Sequence, residues 1–416
     1  MVGETSEEEV KSMVGERGTG RSSRGGAEQG SPGRDVETDA IRGRPRGAGV
    51  GKVVVMSVVA FLLGVGVGGV LLGNKNPSGG SSTCSGTSEL TLTGAGATFP
   101  YPLIDKWRFE YNKICNNIQV NYQSIGSGGG IQQITARTVD FGASDAPLKA
   151  SERTAAPGLL HLPETLGAVA IVYNVPDVAS GLKLTADVIA DIFLGNVRRW
   201  NDPALANLNP TVTLPDQDIF TVHRSDGSGT TFVFTDYLTK ASPAWAAGPG
   251  KGKSVTWPLG FGAKGNEGVA GVVLGNRYSI GYVELAYAFT NNINFAEVRN
   301  AVGNFVSPSL NSTTAAAVAA APTLPSGSDS WEPVSITDAP GAESYPIASF
   351  SYVLVYQEQT DRAKGQALVD FLWWVIHDGQ QYSSALLYVP LPSSVVAINE
   401  ASIRTITHQG SVLYTG

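Results

Sequence analysis

The stretch from Arg224 to Thr231 carries the residues best suited to chemistry in this chain of 416 residues. It combines one Arg, one Asp, two Gly and several hydroxyl residues between an apolar run and a helical pattern. Such a turn exposes backbone N–H groups at the positive end of a helix, where anions bind. Ser228 and Thr230 add hydroxyl donors, and Arg224 adds a charged fork. The same pattern also fits a simple helix cap, made by Asp226 or Ser228.

Two earlier turns have a similar composition. Residues 94–100 follow a predicted strand and precede a predicted helix, and they offer the hydroxyl of Thr98. They do not complete a dinucleotide fingerprint, because Phe99 stands where the third Gly is required. Residues 124–130 contain a run of Gly around Ser127, which lets the backbone approach a ligand closely. A flexible linker is the alternative for this second turn.

Asp145 is a further candidate site residue beside these turns. Asp145 is placed at the end of a predicted short strand, where side chains of an α/β sheet face the ligand crevice; a turn-initiating Asp is the alternative. We expect no metal and no cofactor, because the histidines are scattered through the sequence. The combination therefore predicts the binding of a small, dehydrated oxyanion rather than catalysis.

The composition limits the other function classes. The net charge of −7 argues against a general nucleic-acid binder, and 42% apolar residues permit a sizeable core. Strand and helix patterns alternate along the chain, which predicts an α/β fold. They include a buried strand at 166–173, a helix at 185–194 with Thr185 as its cap, and a strong helix at 362–376. Residues 301–330 are predicted to be irregular, and residues 380–416 to end in a helix.

The amino-terminal part has a different character. Residues 1–52 lack an apolar period and are predicted to be a disordered cytoplasmic segment. Residues 53–73 contain no charged residue and are long enough to cross a bilayer, with basic residues before them. We interpret them as an uncleaved anchor, and a cleaved signal peptide is the alternative. Residues 74–88 form a linker. Cys84 and Cys115 can form a disulfide outside the cell or remain free thiols.

Several motifs now appear together in order. Residues 93–100, 125–130 with 139–148, and 224–237 resemble the signature segments of the phosphate-binding proteins of phosphate ABC transporters. The segments 191–200, 257–268 and 280–287 agree with this resemblance, which covers about residues 89–416. It implies a two-lobed class II periplasmic-binding-protein fold that closes on its ligand by hinge motion. We expect lobe I to comprise 89–165 and 341–416, and lobe II to comprise 166–340, with hinges near 163–168 and 338–345.

The resemblance also implies a set of phosphate contacts in the cleft between the lobes: Thr98, Phe99, Ser127, Asp145, Arg224, Ser228, Gly229 and Thr230. Asp226 is expected to pair with Arg224 and hold its fork, and a helix cap is the alternative. Two positions depart from the family pattern. Gly128 replaces a Ser that many members carry, so we expect a bare N–H donor there. His223 stands where a second Arg is common beside Arg224, so any contribution of such an Arg pair is in question here.

Asp145 points to phosphate as the ligand. A buried carboxylate repels an anion unless the anion still carries a proton to donate, as phosphate does near neutral pH and sulfate does not. The resemblance therefore implies a monomeric, membrane-anchored receptor that delivers phosphate to an ABC permease with a separate ATPase, and not an enzyme. The alternatives are a receptor for sulfate or molybdate, a hydrolase using Ser228 or Ser127 as nucleophile beside His223, and an adhesin or sensor that has kept the fold.

Overall fold

The computed structural model describes Cys84 and residues 88–320 and 324–416. Its strands are β1 (Leu90–Gly96), β2 (Ile118–Ser124), β3 (Phe141–Ser144), β4 (Leu159–Asn174), β5 (Lys183–Leu184), β6 (Phe220–Arg224), β7 (Phe261–Ala263), β8 (Ser279–Glu284), β9 (Asn294–Phe295), β10 (Glu297–Arg299), β11 (Phe305–Val306), β12 (Ala348–Tyr356), β13 (Thr407–His408) and β14 (Ser411–Val412).

The helices alternate with these strands. They are α1 (Tyr101–Ile114), α2 (Ser127–Thr135), α3 (Ala150–Ala155), α4 (Ala186–Leu194), α5 (Pro203–Ala206), α6 (Gly229–Ala241), α7 (Pro243–Ala247), α8 (Gly265–Gly275), α9 (Leu285–Thr290), α10 (Leu310–Ala320), α11 (Arg362–Ile376) and α12 (Ser393–Ile403). Two short 3-10 turns, Asp378–Tyr382 and Ser384–Leu386, lie between the last two helices.

The long strand β4 connects the two lobes of the fold. The main sheet has the order β2-β1-β3-β12-β4-β8-β6-β7, and β9 also pairs with β4. The first part of β4, up to Ala168, pairs antiparallel with β12, whereas the part from Val169 onward pairs antiparallel with β8. β4 therefore pairs with β12 along its first part and with β8 along its second part, and it changes partner near its middle. The carboxyl ends of β1, β3 and β6 each lead into a segment of the candidate site.

Local sequence signals explain most of the elements. Thr185 caps α4 by accepting a hydrogen bond from the Val188 amide, as predicted. Helix α11 has the predicted bounds, and Phe371 and Trp374 on its apolar face pack against Tyr111 of α1. These burial patterns follow the helical period of the sequence, which is the reason that these elements could be predicted.

Four elements differ from the sequence prediction. Strand β4 begins at Leu159 and not at residue 166. The sequence predicts a helix at 131–137 after the second Gly-rich turn, whereas α2 begins at Ser127, because Gly128–Gly130 form its first turn. Residues 301–330 contain helix α10, whose Ala-rich sequence has high intrinsic helix propensity despite a weak apolar period. The chain ends in the β13–β14 hairpin and not in a helix, because Gly410 takes a positive φ in the connecting turn.

Cys84 and Cys115 form a disulfide, with a Cα–Cα distance of 5.5 Å. The bond joins the segment before β1 to the residue that follows α1, and it decides between the two alternatives that the sequence left open. The predicted cytoplasmic segment 1–52 and the predicted membrane span 53–73 lie outside the described residues. Within the described part of the chain, no helix is long and apolar enough to cross a membrane.

Candidate functional site

The amino-terminal end of α6 is both capped and directed into the protein interior. The Ser228 hydroxyl oxygen accepts a hydrogen bond of 3.0 Å from the Thr231 amide. Gly229 and Thr230 are the first two residues of the helix, so their amides have no carbonyl one turn earlier to pair with. All four residues are buried. The cap and the anion site that the sequence offered as alternatives therefore coexist in one turn.

Arg224 ends β6, and its guanidinium is paired with Asp226. Arg224 Nε lies 2.8 Å from Asp226 Oδ1, and Arg224 Nη2 lies 2.5 Å from Asp226 Oδ2. Burial opposes ionisation of Asp226, but the hydrogen bonds and the charge of Arg224 outweigh it and hold the pKa of that carboxyl below its usual value. The predicted pairing is therefore present. Arg224 Nη1 is 3.3 Å from Thr230 Oγ1, so the fork reaches the start of α6.

The turn between β1 and α1 lies against α8. Thr98 and Phe99 are buried, and Asn266 in the first turn of α8 donates from its side-chain amide to Thr98 Oγ1 at 2.9 Å. The same amide donates to Thr230 Oγ1 at 3.0 Å. One Asn thus fixes two of the predicted hydroxyl groups. Sequence reasoning missed Asn266, because a neutral amide within a Gly-rich stretch gives no charge or motif signal.

The start of α2 supplies a further hydroxyl. Gly126 precedes the helix with a φ of 87°, a conformation that favours glycine. The Ser127 hydroxyl oxygen accepts a hydrogen bond of 3.2 Å from the Asp145 amide. The expectation for Gly128 was wrong: its N–H donates to the Gly227 carbonyl at 2.8 Å and is not free. A Cβ at Gly128 would lie 3.1 Å from Gly227 Cα, so this close backbone approach accounts for the glycine.

Asp145 directly follows β3 and is 1% exposed. Its Oδ1 accepts a hydrogen bond of 2.8 Å from Ser351 of β12, whereas its Oδ2 has no hydrogen-bond partner among the described residues. Burial raises the pKa of Asp145 to about 7, although the Ser351 hydrogen bond, the Arg224 charge and the Ser127 hydrogen bond lower it. An unpaired buried carboxylate oxygen is costly, so Oδ2 is the atom of this carboxyl that remains open to a hydrogen donor.

Gly229 brings the separate turns together. A Cβ at this position would lie 2.4 Å from Asp145 Oδ2 and 2.4 Å from Ser127 Oγ. The start of α6 therefore touches both the end of β3 and the start of α2. Six of the predicted contacts lie at these junctions or at the end of β6: Ser127, Asp145, Arg224, Ser228, Gly229 and Thr230. Thr98 and Phe99 lie in the turn between β1 and α1, which Asn266 connects to Thr230.

His223 does not join this group. Its Nδ1 lies 3.0 Å from the carbonyl oxygen of Arg224, and its ring stacks on Trp257 with a centroid distance of 4.6 Å. It therefore contacts neither of the serines that the hydrolase alternative would use as nucleophile. The described residues also contain no group of three or more His, Cys, Asp and Glu side chains that could hold a metal ion.

Three hydroxyl groups keep their hydrogen atoms available to a ligand. Thr98, Ser127, Ser228 and Thr230 each use the oxygen to accept from an N–H group. Within the part of the chain that the structure describes, Thr98, Ser228 and Thr230 donate their own hydrogens to no protein acceptor, whereas the Ser127 hydroxyl faces the Asp145 carboxyl and favours its ionised form. The first amides of α6 and Arg224 add further buried donors, and Asp145 Oδ2 is an open acceptor beside the start of α6.

Comparison with known proteins identifies the family. Residues 81–378 match the model of the PBP superfamily domain. The chain is 47% identical over 325 residues to the phosphate-binding protein PstS of Pasteurella multocida, covering 77% of this chain and 91% of the relative. It is 36% identical over 353 residues to PstS of Methanocaldococcus jannaschii, covering 80% and 90% respectively.

Solved structures agree on the fold. The phosphate-binding protein of Stenotrophomonas maltophilia superposes with a TM-score of 0.60 at 22% identity, covering 79% of this chain and 96% of that chain. At this identity the match supports the two-lobed fold alone. The family assignment follows from the sequence matches, which extend over most of both chains. The chain belongs to the PstS family of phosphate-binding proteins, within the PBP superfamily.

Proposed function

We propose that this protein binds inorganic phosphate outside the cytoplasm and delivers it to an ABC permease for import. The observation that carries the proposal is the arrangement of many hydrogen donors around one acceptor. Four hydroxyl groups have their oxygens occupied by N–H donors, and three of them, Thr98, Ser228 and Thr230, keep their hydrogens free. The start of α6, which carries two of these three, adjoins the unpaired Oδ2 of Asp145 at Gly229. Burying an anion is costly unless its lone pairs are met, and this set can meet them.

The ligand contacts that we propose comprise seven donor residues and one acceptor. Hydroxyl groups, backbone amides and the Arg224 fork donate to phosphate oxygens, and Asp226 holds that fork in place. Asp145 Oδ2 accepts the hydrogen that hydrogen phosphate still carries. The proposed donors are Thr98, Phe99, Ser127, Arg224, Ser228, Gly229 and Thr230.

Asp145 favours phosphate over the other tetrahedral oxyanions. Sulfate at neutral pH has no hydrogen to offer, so it would place a lone pair against an ionised carboxylate. Sites built to pair a substrate hydroxyl reject the analogue that lacks it by roughly 10⁴-fold or more. Hydrolysis is not favoured either, because His223 is stacked on Trp257 and the Ser228 oxygen is occupied by the α6 cap. The protein is a binding protein and not an enzyme.

We further propose that residues 53–73 anchor the protein and that its lobes close around phosphate. The lobes are 89–165 with 341–416, and 166–340, and the hinge includes the point where β4 changes partner. The uncharged sequence of 53–73 supports the anchor. The Cys84–Cys115 disulfide supports an oxidising, extracytoplasmic compartment for the body. The permease has a separate ATPase, and the receptor acts as a monomer.

Isothermal titration calorimetry of the purified full-length chain tests the proposal. We expect tight binding of phosphate at about pH 8, where Asp145 is ionised, and sulfate binding weaker by about 10⁴-fold. Absence of phosphate binding would contradict the proposal, and equal binding of the two anions would contradict the role of Asp145. A chromogenic phosphate ester should remain uncleaved under the same conditions.

A further inference from the structure

Ser351 lies between two buried carboxyl groups. Its Oγ is 2.8 Å from Asp145 Oδ1 and 2.9 Å from Glu164 Oε1. The three side chains are 0%, 1% and 2% exposed respectively. A hydroxyl group has one hydrogen and can donate it to only one of the two oxygens. The other carboxyl must therefore bring a hydrogen of its own, since two ionised groups would leave a lone pair of Ser351 facing a carboxylate.

The surroundings assign that hydrogen to Glu164. Asp145 has the Arg224 charge and the Ser127 hydroxyl nearby, and both favour its ionised form. Glu164 has neither, and its Oε2 has no hydrogen-bond partner among the described residues. Burial raises the pKa of Glu164 to about 8, the Ser351 hydrogen bond lowers it, and the Asp145 charge raises it further. A neutral acid tolerates an unpaired carbonyl oxygen better than a carboxylate does.

We propose that Glu164 is a specificity-determining positioning residue: it stays a neutral carboxylic acid and donates to Ser351, which in turn donates to Asp145 Oδ1. The inference rests on the proposed phosphate function. With this polarity Asp145 remains a carboxylate, and its Oδ2 acts only as an acceptor toward the ligand. Glu164 thus contributes to the rejection of anions without a proton, although it does not touch the ligand itself.

The polarity of this chain of hydrogen bonds depends on pH. Above the pKa of Glu164, its carboxylate competes for the single hydrogen of Ser351 and adds a second negative charge near the bound dianion. Phosphate affinity should then fall by up to about tenfold per pH unit, because binding requires the proton on Glu164. A Gln at this position cannot ionise, and its amide N–H can donate to Ser351 at every pH.

Of the other ionisable groups near the pair, Glu284 requires a comparison variant. Burial lowers the pKa of His161 to about 3 and raises the pKa of each nearby tyrosine above its usual value, and an arginine side chain keeps its charge. The buried Glu284 has a pKa raised well above its usual value by burial, so it can titrate in the alkaline range. Glu284→Gln therefore serves as a comparison variant. The groups concerned are Arg224, His161, Glu284, Tyr122, Tyr352 and Tyr388.

The test measures phosphate and sulfate affinity of the full-length chain between about pH 7.5 and about pH 10, where hydrogen phosphate predominates. We compare the wild type with Glu164→Gln, Ser351→Ala and the control Ser349→Ala, which removes a hydroxyl two residues away on the same strand. Wild type, Ser349→Ala and Glu284→Gln should lose phosphate affinity above about pH 8, by up to about tenfold per unit. Glu164→Gln should keep its affinity and its rejection of sulfate.

Ser351→Ala should lose phosphate affinity by about tenfold or more at about pH 7.5 and reject sulfate less well, since Asp145 Oδ1 is then unpaired. A decline in Glu164→Gln as steep as in the wild type, a flat wild-type profile, or unchanged selectivity in Ser351→Ala would overturn the inference. If Ser351→Ala does not fold, the Glu164→Gln profile decides alone. A wild type that binds no phosphate at about pH 7.5 contradicts the proposed function instead.

Discussion

Gly229 and Asp145 face each other so closely that no side chain fits between them. A Cβ on Gly229 would lie 2.4 Å from Asp145 Oδ2, the one open acceptor of the site. The glycine is therefore required by a close approach across the site and not by its backbone conformation. It places the first amides of α6 where a ligand hydrogen-bonded to Asp145 must also lie.

The first prediction concerns this contact. Gly229→Ala should reduce phosphate affinity by at least about 100-fold, because the methyl group occupies ligand space and pushes α6 away from Asp145. Calorimetry measures the loss. Gly271→Ala in α8 is the matched control, since nothing lies within 4 Å of its added Cβ. It should retain affinity and unfold at the same or a higher temperature. Wild-type affinity in Gly229→Ala would contradict the close contact.

Asn266 gives the second prediction. Its side-chain amide donates to the oxygens of Thr98 and Thr230, which directs both hydroxyl hydrogens toward the ligand. Asn266→Ala removes one of two N–H donors from each hydroxyl oxygen, because the backbone N–H of residue 266 still donates to Thr98 Oγ1 and Arg224 Nη1 still reaches Thr230 Oγ1. Phosphate affinity should therefore fall by about tenfold. Asn276→Ala removes an amide that donates to the Val272 carbonyl at the far end of the same helix, and it should leave affinity unchanged. Equal affinities of the two variants would show that Asn266 does not orient the hydroxyls.

Much of this candidate site could be proposed from the sequence because its parts lie at strand–helix junctions rich in Gly and hydroxyl residues. Arg224, Asp145 and the start of α6 were proposed in this way, since charge and turn chemistry are local signals. Asn266, Ser351 and Glu164 were not found, because each acts through a partner that is distant in sequence. Glu164 lies within an apolar strand pattern. It comes near Asp145 because β12, which carries Ser351, pairs with β4 in the sheet.

The fold was predictable to a similar degree. Elements with a clear apolar period, such as α11, were found with the correct bounds. Helix α10 was missed because its Ala and Thr residues show almost no alternation of apolar and polar positions at the helical period. The helix propensity of Ala alone did not outweigh the Ser and Pro residues around it. The expected free N–H of Gly128 was wrong for a different reason, since its acceptor, the Gly227 carbonyl, belongs to a distant turn.

The third prediction concerns the Arg224–Asp226 pair. Arg224→Lys keeps the charge but loses the two-pronged pairing with Asp226 and the contact with Thr230. Phosphate affinity should fall by about 10–100-fold, and the melting temperature of the ligand-free protein should fall as well. Arg199→Lys is the matched control, because Arg199 pairs with Asp216 at the exposed surface. Exposed pairs contribute little, so this control should behave like the wild type.

The last prediction is a pH-dependent gain of sulfate binding. Burial raises the pKa of Asp145 to about 7, so the carboxyl carries a hydrogen below that pH and can donate it to a sulfate oxygen. Above that pH it is an acceptor, and sulfate is repelled. Sulfate affinity of the wild type should therefore rise by up to about tenfold per unit as the pH falls toward about 7, and it should level off below that pH.

Asp145→Asn imitates the protonated form, because its amide can donate at every pH. This variant should bind sulfate without the pH dependence and should lose phosphate affinity at neutral pH. Asp216→Asn, at an exposed position, should follow the wild type. Competition calorimetry with sulfate at about pH 5.5, 6.5 and 8 measures these curves. A flat and weak sulfate curve in the wild type would mean that Asp145 stays ionised through this range and rejects sulfate at every pH. If Asp145→Asn rejected sulfate as strongly as the wild type does at about pH 8, the rejection would need another source, since the other proposed contacts donate hydrogens that sulfate can accept as well as phosphate.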